Sequence, residues 1–285
     1  MGMSRAGFAT FGQEFYFDES IRAIESFSDM PEHDGLSAQI AGLLPHPSEA
    51  TRLRVAAKII QRFFKAADGK SRAVPFLRLV NGLKSESARR DLLYWRTART
   101  DTIIAAMARE VFYPYFVLNA LPEGYDEAAF RMANTATLFS VDRVISRDFA
   151  VEYARRAWKF DNARTVTLAL RIMRQAEILG AISVKLGRRH VLGYYPQPHS
   201  LRPEVFAYCM YEEFLGGGSA SLVSLDRIQN GDCAKLFFLS QLQVDSLLKS
   251  LGKRKLIEHV SLPGGRHIRF AAQDLETLTR SLVEG

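Results

Sequence analysis

Apolar side chains recur at intervals of three and four residues along most of the chain, a period typical of helices with one buried face. The clearest stretch begins after Ser48, a residue type that caps helix N-termini, and runs over residues 49–67. Its predicted core stripe consists of Leu53, Ala56, Ala57, Ile60 and Phe64. The basic side chains that this stripe directs away from the core are Arg54, Lys58, Arg62 and Lys65. The pattern therefore predicts a long amphipathic helix with a basic outer face.

The same period predicts helices on both sides of that stretch. An acidic N-terminal segment, residues 1–45, is expected to contain short helices at 18–30 and 35–44. Further helices are predicted at 74–83, 87–96, 100–113 and 126–139. Residues 46–145 are therefore expected to form a basic helical bundle, and the fold class is expected to be mainly α.

A different arrangement is predicted for residues 146–200. Its predicted elements are helices at 148–159 and 163–179 and strands at 181–186 and 190–195. Gly180 ends the second helix, and Gly187, Arg188 and Arg189 form the turn between strands rich in Val, Ile and Tyr. The order of helix, helix and two-stranded hairpin predicts a winged helix, which is a helix-turn-helix module with a β-hairpin wing.

The predicted helix 163–179 has two distinct faces when its residues are placed at about 100° intervals. The apolar face consists of Val166, Ala169, Leu170, Met173 and Ala176. The polar face consists of Arg164, Thr167, Arg171, Arg174 and Gln175. Guanidinium groups contact guanine edges or phosphates, and Gln and Thr side chains read bases or position a helix. We therefore predict a DNA recognition helix, with Arg188, Arg189 and His190 of the wing reaching the flanking DNA backbone.

Residues 201–285 are predicted to be a linker followed by a second, winged-helix-like module. The predicted elements are a helix at 240–253, strands at 256–261 and 267–271, a turn at 263–266 and a closing helix at 274–283. The glycine-rich run from Gly216 to Ser219 is expected to be a flexible joint. On the outer face of the helix, Asp245 accompanies Lys249 and Lys253. We expect this module to serve docking or dimerisation rather than DNA reading.

Charge is unevenly distributed along the chain, whose 285 residues are 47% hydrophobic and suffice for more than one domain. The net charge of +7 conceals balances of −6 over residues 1–50, +10 over 51–100 and +6 over 151–200. Segregated positive charge attracts polyanions, so Arg89 and Arg90 of the first basic block join the predicted DNA-contacting residues. Two alternatives remain open: the charges solvate helix faces, or the acidic segment folds back onto the first basic block.

The cysteines and the apolar segments indicate a cytoplasmic protein. Cys209 and Cys233 are too few for a disulfide framework, which favours a reducing compartment. The N-terminal sequence lacks the apolar core of a secretory signal. Residues 103–121 are the most apolar, but charged residues and Pro114 interrupt them, so we expect buried helices rather than a membrane span.

Motifs for catalysis are absent from the sequence. It has no phosphate-binding loop, nucleophile elbow or dinucleotide fingerprint, and its six histidines lack the paired spacing of metal ligands. Glu212 and Glu213 are adjacent in a helix and so do not face each other as an acid/base pair would. We expect no enzymatic activity, no cofactor, no metal and no small-molecule substrate.

Four aromatic residues lie close together in the apolar region, and these are Phe112, Tyr113, Tyr115 and Phe116. Such a run can form a base-stacking platform, as in proteins that bind single-stranded nucleic acid. Because apolar residues flank the run and no Lys or Arg is interleaved with it, we favour core packing.

Several short motifs together resemble a known family. They are Glu19-Ser20, GLLPHPSEAT at 42–51, IIQRFF at 59–64, RDLLYW at 90–95, Asp148-Phe149, Trp158 and the helix from Arg164-Thr165 through Leu170 to Leu179-Gly180. In these residues the chain resembles the BrxA family of BREX phage-defence proteins, over roughly residues 15–185. The resemblance implies a helical DNA-binding accessory of a defence island, acting beside a methyltransferase and an ATPase without turnover of its own. The second predicted winged helix lies outside it.

These observations predict a non-enzymatic accessory protein that binds duplex DNA through a basic helical surface and a winged helix. The main alternative is a protein-protein adaptor, because winged helices also contact proteins. Another is binding of structured RNA by the basic bundle. A nuclease would need clustered acidic metal ligands, in which the basic blocks are poor.

Overall fold

A computed structural model describes residues 15–27, 35–64, 73–134, 138–139, 141, 143–214 and 222–284. Most of these residues are helical, as the apolar period predicts, and their strands form two three-stranded antiparallel sheets. Contacts within the chain define two compact units. Unit 1 comprises Phe15 and the described residues within 101–200 and 234–240, and unit 2 comprises those within 16–100, 201–233 and 241–285.

The elements are named in chain order. The helices are α1 (Phe17–Phe27), α2 (Leu36–Leu43), α3 (Glu49–Ile59), α4 (Ala73–Gly82), α5 (Glu86–Thr100), α6 (Thr102–Ala106), α7 (Tyr113–Phe116), α8 (Glu127–Asn134), α9 (Arg147–Trp158), α10 (Ala163–Gln175), α11 (Pro203–Phe214), α12 (Leu225–Gln229), α13 (Asp232–Leu236), α14 (Gln241–Lys253) and α15 (Leu275–Glu284). π-Helical turns follow α3 over Ile60–Phe64 and link α6 to α7 over Met107–Phe112. The strands are β1 (Ile145–Ser146), β2 (Leu179–Leu186), β3 (Arg189–Pro196), β4 (Leu222–Ser224), β5 (Ile257–Leu262) and β6 (Gly265–Phe270).

The core-facing side of α3 differs from the predicted stripe. Val55, Ala56 and Ile59 are buried, whereas Leu53 is 39% exposed. The wider π-helical turn after α3 changes the angular position of the residues that follow, and it carries Arg62 into the core, where its side chain is 1% exposed. The prediction that Arg62 lies on a basic outer face is therefore wrong.

The region predicted as a linker contains a deeply buried helix, α11. Every residue from Val205 to Glu212 is buried, and the helix packs against α5, α14 and α15. Pro203 occupies its first turn, where a missing N–H is tolerated. Because α11 is apolar on most sides, it lacks the one-sided period by which the other helices are recognised. The predicted joint from Gly216 to Ser219 lies outside the described residues.

Unit 2 brings early and late parts of the chain together. α4 packs against α1, α5 and α15. At the contact with α15, a Cβ on Gly82 would lie 2.6 Å from Cγ2 of Val283, so the glycine permits the close approach of the two helices. The predicted bundle of residues 46–145 is thus divided between the two units at residue 100.

Unit 1 contains the sheet β1–β3–β2. β2 and β3 pair from Leu179 opposite Pro196 to Leu186 opposite Arg189. α10 packs against α6, α9 and β2. Any side chain at Gly193 of β3 would collide with the core, since a Cβ there would lie 2.4 Å from Cγ1 of Val144.

The most apolar part of the sequence lies inside unit 1. Ile103 and Ile104 of α6 are fully buried, and the Asp101 carboxylate accepts hydrogen bonds from both of their backbone N–H groups. Among the described residues, no helix combines the length and the apolar character that crossing a membrane requires.

The described part of unit 2 contains the second sheet, β4–β6–β5. Both sheets are built in the same order: a short strand, helices, and then a hairpin. In both, the serine that ends the first strand caps the next helix, since Ser146 Oγ accepts a hydrogen bond from the N–H of Phe149 and Ser224 Oγ from that of Arg227. The hairpins predicted at 181–195 and 256–271 are both present, with ends shifted by one or two residues.

Candidate nucleic-acid interface

The packing of the apolar face of α10 determines which residues of the helix face solvent. Asn162 caps the helix, its side-chain oxygen accepting a hydrogen bond from the N–H of Thr165 at 3.1 Å. The predicted apolar face is confirmed: Val166, Ala169, Leu170, Met173 and Ala176 are all buried. Since this face packs against the rest of unit 1, the opposite side of α10 is turned to solvent.

The outer face of α10 carries the residues predicted for it. Arg164, Arg171 and Arg174 are exposed, and Thr167 and Gln175 are half-buried. Thr167 donates its hydroxyl hydrogen to the carbonyl of Ala163 at 2.8 Å, and Gln175 Oε1 accepts the N–H of Phe15 at 3.2 Å. Both side chains are therefore partly engaged within unit 1, whereas the arginines dominate the solvent-facing charge.

The hairpin adds cations next to α10. Lys185, Arg188 and His190 are exposed, and Nδ1 of His190 lies 3.3 Å from Oγ of Ser183. Arg189 begins β3, and its side chain falls outside the described part of the structure. Residues 179–196 include no Asp or Glu. The positive charge of the hairpin is thus not neutralised within the hairpin itself.

Two arginines, one from α10 and one from α9, lie close enough to Tyr194 of β3 to affect its pKa. Burial raises the pKa of Tyr194, and the positive charges of Arg174 and Arg147 act against that rise. Arg174 lies in the last turn of α10 and Arg147 begins α9, so both helices place a cation near Tyr194 of β3. Arg147 also contacts Asp148 at 3.1 Å, which reduces its share of the surface charge.

The basic residues predicted for α3 do not form one surface. Arg54 is exposed and Lys58 is half-buried, but Arg62 is buried. Burial and the charge of Arg62 together lower the pKa of Lys58. Lys65 lies outside the described residues.

Arg89 and Arg90 of α5 are engaged within unit 2. Arg89 donates to the carbonyl oxygen of Leu83 at 2.6 Å and forms an ion pair with Glu25 at 2.7 Å. Arg90 contacts Glu86 at 2.8 Å, and its guanidinium lies over the ring of Phe17. The contacts with α1 match the alternative in which the acidic segment folds back onto the first basic block.

Buried carboxylates in unit 2 have structural partners. Glu212 accepts hydrogen bonds from Nε1 of Trp95 at 2.6 Å and from Arg96 at 2.5 Å. Glu213 accepts the backbone N–H groups of Asp232 and Cys233 at the start of α13, at 2.7 and 3.0 Å. The two neighbours thus point to different partners. No group of three metal-ligating side chains is present in the part of the chain that the structure describes.

The aromatic run of unit 1 is core, as predicted. Phe112 and Phe116 are buried, and their ring centroids lie 5.4 Å apart. Phe238 packs on both, and Tyr115 packs on Phe130. These rings contact one another and offer no open platform for bases.

Sequence reasoning missed two features of the hairpin. The exposed Lys185 and the exposed Leu186 lie at the end of β2 and were treated only as strand residues. A readable signal was present, because the positions next to a hairpin turn project from the sheet and residues 179–196 lack acidic side chains. No family model, curated protein or solved structure matches this chain.

Proposed function

We propose that this chain is a non-enzymatic protein that binds duplex DNA, and that β1, α9, α10, β2 and β3 act as a winged helix. The observation that carries the proposal is the outer face of α10, where Arg164, Arg171 and Arg174 are exposed beside a hairpin without acidic residues. The inner-face packing fixes the orientation of the helix and therefore the side from which the arginines project.

The dimensions of α10 suit the major groove. Its 13 residues make a helix about 20 Å long, and a helix fits a groove about 12 Å wide. Arginine pairs with guanine edges through two parallel hydrogen bonds and also binds phosphates. Arg171 lies near the middle of the outer face and is the best placed for a base edge.

The local charge favours a polyanion. Between Lys159 and His190 the sequence has seven basic and two acidic side chains. Because phosphate contacts supply most of the affinity of non-specific binding, we expect strong salt dependence with little sequence preference.

The test is binding to labelled duplex DNA, single-stranded DNA and duplex RNA of equal length across a salt series. If about six phosphates are neutralised, affinity for duplex DNA falls about a thousandfold between about 50 and 200 mM salt. A flat salt response would contradict the proposal. Preference for duplex RNA would favour the RNA-binding alternative instead.

We also expect the purified chain to hydrolyse neither ATP nor nucleic acid. The expectation rests on the sequence, which has no phosphate-binding loop and no cluster of acidic residues with metal-ligand spacing. Hydrolysis that disappears when a carboxylate of this chain is replaced would show that a catalytic site exists.

The resemblance to the BrxA family supports a more specific proposal, that the chain is an accessory of a BREX-type defence system with a methyltransferase and an ATPase as partners. Co-purification of the tagged chain with those two proteins, with and without nuclease treatment, tests it. Retention of a partner after nuclease treatment indicates protein contact, and loss indicates association through DNA.

One observation favours an adaptor role for the second module, β4 to β6. Leu242 on α14 is 81% exposed, and Asp245, three residues further along the same helix, accepts a hydrogen bond from Gln229. A face that carries an apolar and an acidic side chain suits a protein partner better than phosphates. Replacing Leu242 by Ser should weaken partner binding without changing affinity for DNA.

A further inference from the structure

The strand register divides the side chains of the first hairpin between two faces. Residues directly opposite each other on antiparallel strands share a face, and successive residues of a strand alternate between the faces. One face carries Ile182 and Val184, which pack on the cluster of Phe139, Val144 and Val191. Other residues of unit 1 therefore cover that face.

The opposite face carries cations along its length. At one end, Tyr194 is buried and lies close enough to Arg174 of α10 and Arg147 of α9 for both charges to affect its pKa. Toward the turn, the same face carries the directly opposed pair Lys185 and His190, which are both exposed. We call this surface the cationic face, and it consists of Ala181, Ser183, Lys185, His190, Leu192 and Tyr194.

The spacing of these cations suits an extended polyanion. Neighbouring residues on one face of a strand are about 6.7 Å apart, so His190 lies about 13 Å from Tyr194 along β3. A small anion cannot contact both ends of such a face. A DNA strand carries a phosphate about every 3.4 Å along the helix axis, so about four phosphates span this distance.

Few acidic side chains oppose this charge. Residues 179–196 include no Asp or Glu. On the neighbouring elements, Asp148 of α9 is paired with Arg147, and Glu177 precedes β2, at the end of the hairpin away from its turn. A polyanion on the cationic face therefore meets no carboxylate of the hairpin itself.

His190 is the residue of this face whose charge can change near neutral pH. Histidine ordinarily gains or loses its proton between about pH 5 and pH 8. Nδ1 of His190 lies 3.3 Å from Oγ of Ser183, which leaves Nε2 for an outside acceptor. A protonated ring donates from both nitrogens, so it can bind Ser183 and a phosphate oxygen together while adding a positive charge.

Protonation and phosphate binding favour each other at this position. In the free chain a protonated His190 faces Lys185 across the ladder, and like charges directly opposite each other on neighbouring strands are destabilising. A bound phosphate attracts both charges and offsets their repulsion. By reciprocity, a ligand that favours the protonated ring binds more tightly when the ring is protonated.

We propose that one phosphate strand of duplex DNA lies along the cationic face and that its binding takes up a proton from the buffer onto His190. The inference rests on the proposed DNA binding by unit 1. It adds a dependence on pH that the arginines of α10 do not produce, because a guanidinium stays protonated throughout the neutral range.

The experiment measures the affinity of the full chain for one labelled duplex by fluorescence anisotropy, at fixed salt, from about pH 6 to about pH 8. Wild-type affinity should rise about fivefold as pH falls across this range. His190→Gln cannot take up the proton, so it should bind at every pH as the wild type does at the high end. His190→Arg is charged throughout, so at the high end it should bind at least as tightly as the wild type does at the low end.

Two further measurements identify the proton and its site. Calorimetric titration in two buffers of different ionisation enthalpy counts the protons taken up, and we expect up to about one for the wild type and none for His190→Gln. The matched control is His267→Gln in the second hairpin, where Nδ1 of His267 lies 3.1 Å from the carbonyl oxygen of Gly265. This variant should keep the wild-type pH dependence.

The outcomes separate this inference from the proposed function. A wild-type affinity that does not change with pH, or a pH dependence that survives His190→Gln, overturns the inference and leaves DNA binding intact. A chain that binds no duplex DNA at any pH overturns both. Circular dichroism checks that the variants fold, and if His190→Gln does not, pH-dependent binding by His190→Arg overturns the inference on its own.

Discussion

In both modules a short strand ends at a capping serine and a later helix leads into a hairpin, but the outward faces differ. The outer face of α10 exposes three arginines. α14 exposes Leu242 at the corresponding place, and its Asp245 accepts a hydrogen bond from Gln229 at 3.0 Å. The first hairpin lacks acidic residues, whereas in the second Glu258 lies 3.8 Å from Arg269.

The comparison shows that the order of elements and the outward chemistry are independent. Buried apolar residues and serine caps maintain the arrangement in both modules. Function must therefore be argued from the exposed side chains of each module. On that basis we propose the module of unit 1 as the DNA reader and a different contact for the module of unit 2.

The largest effect is expected on the free energy of unfolding, from a variant of α11, the buried helix that packs against α14 and α15. Glu212→Ala removes the carboxylate that contacts Trp95 and Arg96 in the core, and breaking a buried pair costs about 3–5 kcal/mol. Urea denaturation should show this loss of unfolding free energy. The control Glu276→Ala removes an exposed pair with Arg78 and should cost less than about 1 kcal/mol. Equal losses for both variants would show that Glu212 does not anchor α11.

The next effect concerns the outer face of α10, which we propose reads DNA. If a preferred DNA site exists, Arg171→Ala should cost about 1–3 kcal/mol of binding free energy on that site and less on other sequences. Fluorescence anisotropy with a site chosen by selection from random duplexes measures it. The control Arg131→Ala removes an exposed arginine of α8 that pairs with Glu127, and it should bind normally. If Arg171→Ala binds DNA as tightly as the wild type, Arg171 of α10 does not contribute to the proposed interface.

A smaller effect is expected from pH, and it concerns Glu213 of α11, which contacts the start of α13. Burial raises the pKa of Glu213 from its ordinary value of 4.5, so the folded state holds this proton to higher pH than the unfolded chain does. The stabilising contribution of the group is present below that ordinary value and is lost as pH rises through the raised value. The wild type should therefore lose unfolding free energy relative to Glu213→Gln as pH rises from about 4.5 to 7.

Urea denaturation across that pH range measures the change, and Glu258→Gln, an exposed carboxylate of β5, is the control. A stability difference between Glu213→Gln and the wild type that stays constant with pH would show that the carboxyl group does not titrate differently in the folded state.

The smallest effect should come from the outer face of α14. Lys249 and Lys253 are exposed, but the face also carries Leu242 and Asp245, so replacing both lysines by Ala should hardly change DNA affinity. The salt dependence gives the sharper measurement, because each lost phosphate contact lowers its slope by about one. If the slope of the salt dependence falls by about two, Lys249 and Lys253 bind phosphates. The second module then also contacts DNA, which contradicts the proposed difference between the modules.

The inner face of α10 and the two hairpins could be predicted from the sequence on physical grounds. The inner face of α10 was identified residue by residue, because a helix with one buried side has an apolar period near 3.6. Both hairpins can be predicted because a turn that contains glycine separates two runs of residues that favour strands.

Other features left no local signal. α11 is buried on most sides, so it has no polar face to reveal its period. The π-helical turn after α3 changes the phase of the helix, and Arg62 is buried as a result. The pairing of residues 16–100 with 241–285 in unit 2 depends on contacts between distant segments, which periodicity does not report. The DNA interface itself stays a prediction.

The contact between α4 and α15 has a consequence for synthesis on the ribosome. About 190 residues separate Gly82 from Leu275, and at typical elongation rates they take on the order of ten to forty seconds to emerge. During that interval the surface of α4 beside Gly82 has no α15 to cover it. Most of unit 1, which lies within 101–200, is synthesised earlier and has the chance to fold first. Nascent unit 2 is thus the part of the chain with the longest exposure to aggregation and to chaperones.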